Sequence, residues 1–494
     1  MLHRSARKLL ARTHVLQCPF RSHEPLLNAV DSSAAAARVV STLTSRTLDR
    51  DHCSNSDNIG YHGPITPRKG TSWRQQCYST GFQKVGALQQ GMAEMVSHVI
   101  PMPSDIRYAD LIVKRSDHLQ EKPSLDPLGL KFGALYTDHM LQVSWKEGSG
   151  WTAPSIDPVA PMTLHPCAQV LHYGSCCFEG MKAYKDKDQH LRLFRPDMNM
   201  DRLSRSAACL TLPEFDKVEL LECIKELVRV ERDWVPAKEG FSLYIRPTII
   251  GTHPFLGLSP TREAMLFVVL SPVGPYFPSG LKPIKLFVET EVVRAYPGGV
   301  GDKKVGGNYA PTMLPQLRSA QRGCSQALYV LQDGHPGGGI VGESGAMNVF
   351  FLFQQEGTME LVTPPLNGLI LPGVTRDTIL TIARDFGNMK VSERLLRFGE
   401  IEDAAKTGRL LEVFGTGTAC AVQPVTGLLK NDNTEITIPF DSEAAAHWLA
   451  KLPGMALAQP GTDEPFSLCG RLTRILLDFQ YGNVESPWSV PIDP

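Results

Sequence analysis

The sequence has no excess of charge of either sign. Its 494 residues hold 50 lysines and arginines against 51 aspartates and glutamates, a formal net charge of -1. No global field therefore draws the chain to nucleic acid or to an anionic membrane surface. Long apolar runs are missing as well. The strongest, Ala264–Leu270, is strand-sized and falls far short of the ~18 residues of a spanning helix. Cysteine is sparse: the chain has 11, an odd number, with Cys176 and Cys177 adjacent. That density excludes a disulfide scaffold and points to free thiols in a reducing compartment. What remains, 42% hydrophobic and 20% charged, is the composition of a soluble globular chain long enough for two or three domains.

Acid is scarce at the start. Between Met1 and Thr47 stand Arg4, Arg7, Lys8, Arg12, Arg21, Arg38 and Arg46 against only Glu24 and Asp31. An arginine-rich, acid-poor segment has the composition of an organelle transit peptide. Leu9, Leu10, His14, Val15 and Leu16 can share a helix face opposite Arg7 and Arg12, and Arg74-Gln-Gln-Cys-Tyr-Ser-Thr80 resembles a mitochondrial processing site. Residues 1–79 are thus expected to be a presequence addressing the mitochondrial matrix, and 80–124 an N-terminal extension. The alternatives are an extension with no address, or a plastid address, which the same alanine- and serine-rich style also fits.

Beyond Leu130 strands and helices intermingle. Asp216-Lys-Val-Glu219 has the spacing of a helix capping box, with Leu220, Leu221, Cys223, Ile224, Leu227 and Val228 following at helical intervals. Strands are expected at 241–246 and 264–270, each ahead of a proline, and at 327–331, 347–353, 361–363 and 411–414. Ile284, Leu286 and Val288 alternate with Lys285, Phe287 and Glu289, another strand pattern. A helix is expected from Thr375 to about Phe386. Ser271-Pro-Val-Gly-Pro-Tyr-Phe-Pro-Ser-Gly280 is the best internal boundary. Without strict βαβ alternation the pattern favours an α+β fold of two domains.

Four segments can carry chemistry, and each has a plain structural reading beside it. Lys303-Lys-Val-Gly-Gly-Asn-Tyr309 is a glycine turn with solvated lysines, or an amine beside backbone that can approach a flat ring. Glu343, in Ile340-Val-Gly-Glu-Ser-Gly-Ala-Met-Asn348, is a loop charge or a carboxylate held against a buried heteroatom. Leu371-Pro-Gly-Val-Thr-Arg-Asp377 opens a helix; Thr375 is its N-cap, or the free first-turn amides hold a phosphate. Gly415-Thr-Gly-Thr-Ala419 is a turn after a strand or a second oxyanion cradle. Taken together they supply an amine for an aldehyde, a carboxylate for a ring nitrogen and two anion sites, the inventory that pyridoxal 5'-phosphate requires.

In that combination the segments resemble the branched-chain aminotransferases, fold-type IV enzymes of pyridoxal phosphate. Phe132-Gly-Ala-Leu-Tyr-Thr-Asp-His139, Leu171-His-Tyr-Gly-Ser-Cys-Cys-Phe-Glu-Gly-Met-Lys-Ala183, Leu193-Phe-Arg-Pro-Asp-Met-Asn-Met-Asp-Arg202, Tyr244-Ile-Arg-Pro247 and Leu361-Val-Thr-Pro-Pro-Leu366 extend the likeness. The resemblance implies a smaller N-terminal α/β domain over 125–270, an interdomain loop at 271–282 and a larger, barrel-like α/β cofactor domain over 283–494. It implies Lys304, not Lys303, as the Schiff-base lysine, and Glu343 as partner of the pyridine nitrogen. Arg202, Thr418 and the backbone of Val374 and Thr375 would take the phosphate, with Tyr309 near the phenolic oxygen. Phe132, Tyr173, Phe178 and Tyr244 would form the side-chain pocket, Tyr173 reaching across a homodimer interface. Arg246 would hold the side-chain carboxylate of glutamate, and the amides around Thr418 and Ala419 the α-carboxylate.

The implied chemistry is ping-pong exchange between branched-chain amino acids and 2-oxoglutarate, with Lys304 moving the α-proton. It involves no metal, no nucleic acid and no membrane. Two departures stand out. The Cys-x-x-Cys pair of many animal members is Cys420-Ala-Val-Gln423, and a pocket threonine is Ala346. Competing readings are a D-amino-acid transaminase or aminodeoxychorismate lyase on the same fold, and a catalytically silent binding protein. The aromatic residues with Arg246 argue against the first, and the presence of both Lys304 and Glu343 against the second.

Overall fold

The computed structural model describes residues 106–124, 130, 132–274, 283–387, 389–440 and 467–492. The expected presequence, 1–79, and the extension as far as 105 lie outside them. The described part of the extension is built into the fold. Ile106 is fully buried, and Ile112–Val113 pairs in parallel with Ser155–Pro158.

Two sheets organise the rest. The first runs, in spatial order, Ile112–Val113, Ser155–Pro158, His139–Lys146, Glu263–Val273, Ser242–Gly251, Met181–Lys185, Leu191–Phe194 and Ser489–Pro491. The second runs Ile340–Ser344, Gln326–Leu331, Ile284–Glu289, Ala421–Leu429, Leu410–Gly417, Asn348–Gln355, Thr358–Thr363 and Lys390–Glu393. It mixes parallel and antiparallel pairs and curls into a half-barrel, so the fold is α+β as its sequence pattern requires. The chain passes between sheets after Val273 and before Ile284. It returns at its end: Ser489–Pro491 pairs with Leu191–Phe194 of the first sheet, a return that a single boundary at 271–282 does not include.

The alternation of side chains along a strand explains both sheets. Glu263–Val273 alternates buried and half-buried positions, so one face meets a core. Asn348–Gln355 is buried on both faces over its first six residues. Phe350 and Leu352 enter one apolar cluster, and Phe351 and Phe353 the other. Ile284–Glu289 is likewise a central strand, which is why Phe287 and Glu289 are buried against the expected alternation.

Asp216 caps helix Lys217–Val230, its carboxylate accepting from the Val218 and Glu219 amides at 2.8 and 3.0 Å. The reciprocal half of the capping box does not form, because Glu219 accepts from the Tyr108 amide at 2.6 Å instead. Strand Ser242–Gly251 continues through Pro247 rather than ending before it. Its neighbours on that side are Cys176–Phe178 and Met181–Lys185, and Pro247 faces the gap between them at Glu179 and Gly180, where no ladder bond is lost.

Candidate active site

Lys304 is clamped by its backbone. Its amide donates to Ser206 Oγ at 2.9 Å, its carbonyl accepts from the Phe178 amide at 3.0 Å, and Val305 bridges to Cys177. The side chain runs between two rings. Nζ lies 3.2 Å from Tyr309 Oη and 5.0 Å from the Phe178 ring centre. Lys303 points elsewhere and pairs with Asp302 at 2.5 Å. Adjacent residues of an extended segment face opposite ways, and here only one of the two lysines meets the aromatic wall. The glycines that follow differ in purpose. A Cβ on Gly306 would overlap Cys176 Sγ, whereas Gly307 faces open space.

The wall is continuous. Phe178 packs on Tyr309 and Phe132 on Tyr244, each at 4.9 Å between centres. Tyr244 and Arg246, two apart on one strand, share a face, and Arg246 Nη2 donates to Tyr244 Oη at 3.2 Å. The Arg246 guanidinium lies 4.9 Å from the Phe178 ring centre, while its buried Nε has no partner. Gly180 is part of the design, since a Cβ there would overlap the Tyr244 hydroxyl. Nothing in the local sequence marks that requirement. Tyr173 does not join the cluster of its own chain. It is exposed, and its hydroxyl donates to the Leu256 carbonyl.

Two buried acids flank this wall, and both already have arginine partners. Glu179 is fully buried and takes a two-pronged grip from Arg202, Nε to Oε1 at 2.6 Å and Nη2 to Oε2 at 2.8 Å. Burial alone would raise its carboxyl; Arg202, Lys304 and the Asn199 amide more than offset that and hold it below the usual range. Arg202 Nη1 donates to the Pro372 carbonyl at 3.0 Å, which sets the arginine beside the start of helix Val374–Asp385. Glu343 pairs with buried Arg294 and accepts from the Leu371 amide at 2.9 Å and Asn348 Nδ2 at 3.2 Å. Here burial prevails, and the carboxyl sits above its ordinary value although Arg294, Lys304 and Arg202 pull it down. The resemblance singles out Glu343 and Arg202 but gives no sign of Arg294 and Glu179, with which they pair.

The helix after Pro372 starts at Val374 with Gly373 as N-cap and no capping side chain, so Thr375 is not the cap and the first amides stay open to an anion. A Cβ on Gly373 would collide with Asn348 Oδ1. The second cradle differs from the loop expected at 415–419. Strand Leu410–Gly417 runs through both glycines and turns at Thr418, Ala419 and Cys420 into Ala421–Leu429. A Cβ on Gly415 would stand 2.9 Å from Met347 Sδ, so that glycine serves packing. The tip is held by buried Lys182, whose Nζ donates to the Ala419 carbonyl at 3.1 Å.

An amine between aromatic rings, a buried carboxylate, and an uncapped helix start beside an arginine fit the amine-reactive aldehyde, ring nitrogen and phosphate of pyridoxal phosphate. A model of the class IV aminotransferases matches residues 176–428. A cytosolic branched-chain-amino-acid aminotransferase of Mus musculus is 44% identical over 78% of this chain and 93% of its own length. A mitochondrial one of Bos taurus is 49% identical over 66% and 82%. The chain belongs to the branched-chain-amino-acid aminotransferase family. The fold of this aminotransferase agrees with solved relatives. The Thermoproteus uzoniensis branched-chain aminotransferase with norvaline superposes with a TM-score of 0.53 at 23% identity, over 71% of this chain and 99% of that one. The Thermobaculum terrenum enzyme in its PLP form gives 0.51 at 21% identity, over 71% and 98%.

Proposed function

We propose that this aminotransferase exchanges the amino group of L-leucine, L-isoleucine or L-valine with 2-oxoglutarate, using pyridoxal 5'-phosphate held on Lys304. The observation that carries the reading is the divergence of the two lysines: Lys304 Nζ meets Tyr309 Oη and Phe178, and Lys303 meets Asp302. Arg202, Thr418 and the open amides of Val374 and Thr375 would hold the phosphate, and Glu343 the ring nitrogen. The bound cofactor supplies a sink for the electrons released at the substrate α-carbon. Lys304 Nζ takes the α-proton and returns it, with Tyr309 Oη fixing its direction. Phe132, Phe178 and Tyr244 take the apolar side chain and exclude water. The amides at Thr418 and Ala419 take the α-carboxylate. Tyr173, exposed in one chain, would complete the pocket of a second copy in a homodimer.

One pocket must accept both a branched hydrocarbon and a carboxylate, and Arg246 is the partner for the second. Arg246→Ala is expected to slow the 2-oxoglutarate half-reaction about 10- to 100-fold more than the leucine half-reaction, the worth of ~1.5–3 kcal/mol for a hydrogen bond to a charged group. Single-turnover spectroscopy of each half-reaction measures this; equal losses would reduce Arg246 to a packing role.

The arginine-rich start supports mitochondrial import, with relatives of both mitochondrial and cytosolic kinds among the similar proteins. Protein purified from the organelle is expected to begin near Tyr78–Thr80. N-terminal sequencing that finds Met1 or Leu2 in that pool would overturn the import reading.

A further inference from the structure

Behind the hairpin tip lies a cavity of about 340 Å³ that shares Ala419, and the Lys182 that holds it, with the site described above. Its walls come from both sheets and from helix Leu468–Gln480. Lys182 and Ser242 line it, and each is more than nine-tenths buried, at 8% and 1% exposure. Lys182 Nζ has the Ala419 carbonyl as partner, and no described carboxylate lies within ion-pair reach of it. Ser242 Oγ has no hydrogen-bond partner at all.

A buried cation without a counter-ion is costly, and a buried hydroxyl without a partner is costly too. Ser242 Oγ is closed to a water-sized molecule, so Lys182 Nζ is the cation that this space can offer to a ligand. Apart from Glu239 at the margin, the groups that line the cavity offer no negative charge. Burial pushes the Cys420 thiol up to about 12 and the phenols of Tyr184 and Tyr481 well above their usual value. Glu239 at the margin is exposed and pairs with Arg474 at 3.7 Å. Lys182 itself is lowered by burial to about 8, so near neutrality it still carries its proton. The remaining surface is largely apolar, from Leu477 and the rings of Tyr184 and Tyr481.

We propose that this cavity binds a small monocarboxylate, with its anion on Lys182 Nζ and its hydrocarbon body against Leu477, Tyr184 and Tyr481. One cation matches a single carboxylate better than a dianionic phosphate, and the volume suits a compact organic acid. The carboxylate supplies Lys182 with the counter-ion that it lacks among the described residues. The site does not depend on the roles assigned to Lys304 or Arg246.

The probe is 4-bromobenzoate, titrated calorimetrically into the holoenzyme and soaked into its crystals, with bromine located by anomalous scattering. The expected result is a bromine peak in this cavity and a binding event that weakens about 10- to 100-fold in Lys182→Met, the range for a charge-assisted hydrogen bond. Lys182→Arg should keep most of the affinity. Leu477→Trp, which fills the cavity and leaves Lys182 in place should Lys182→Met fail to fold, should remove the binding event. A bromine peak confined to the neighbourhood of Lys304 and Arg246, no peak at all, or wild-type affinity in either Lys182→Met or Leu477→Trp would overturn the proposal.

Discussion

Lys304→Ala is expected to lose steady-state transamination by on the order of 10²–10⁴-fold or more, the contribution of a positioned proton-transfer group. Lys303→Ala is expected to keep most of it. The two lysines are neighbours in sequence with the same charge, so composition and global electrostatics are unchanged between the variants. What differs is where each amine lies. Lys304 Nζ is 3.2 Å from Tyr309 Oη inside the aromatic wall, and Lys303 is tied to Asp302 outside it. Pyridoxal phosphate should still associate with the Lys304→Ala protein through Arg202 and the two anion cradles, which separates loss of chemistry from loss of cofactor. Comparable activity in both variants would place the reactive amine elsewhere.

Glu179→Ala should be among the most destabilising single changes. It strips both hydrogen-bonding partners from the Nε and Nη2 of a buried arginine. Breaking a buried pair from one side costs about 3–5 kcal/mol, because the charge left behind has neither counter-ion nor water. Replacing both partners, as in Glu179→Leu with Arg202→Met, should recover much of that loss in urea unfolding while weakening cofactor affinity. A loss below about 1 kcal/mol in Glu179→Ala would show that water reaches Arg202. The pH dependence has a definite sign. The folded carboxyl lies below its unfolded value of 4.5, so its stabilisation is complete above that pH and fades as pH falls through the folded value.

The parts of this molecule that are legible in sequence are those fixed by local geometry. The helix over 217–230, the run of paired strands and the helix start near Thr375 follow from periodicity and chain stiffness over a few residues. The opposed directions of Lys303 and Lys304 follow from the same rule. The parts that were illegible depend on residues far apart in the chain. Glu179 meets Arg202 across 23 positions, and Glu343 meets Arg294 from a different strand connection. A lone arginine in Val292-Val-Arg-Ala-Tyr296 gives no sign of the carboxylate that it will pair with. Gly415 reads in sequence as a turn or as anion-binding backbone, and Gly180 carries no local sign at all. Their actual constraint is steric, imposed by Tyr244 and Met347, and becomes visible only when the strands are assembled. Pro247 misled the strand boundary because its tolerance depends on the gap opposite, a property of the sheet.

Chemical trapping of the reactive lysine is the most direct measurement. Reduction of the holoenzyme with borohydride fixes the phosphopyridoxyl group on whichever amine holds it, and digestion with mass spectrometry then reads the position. The geometry predicts a single label on Lys304, in the peptide that contains Val305-Gly-Gly-Asn-Tyr309. A label on Lys303, on Lys182 or on any lysine outside that segment would contradict the assignment, and with it the placing of Glu343, Arg202 and the aromatic wall around one cofactor.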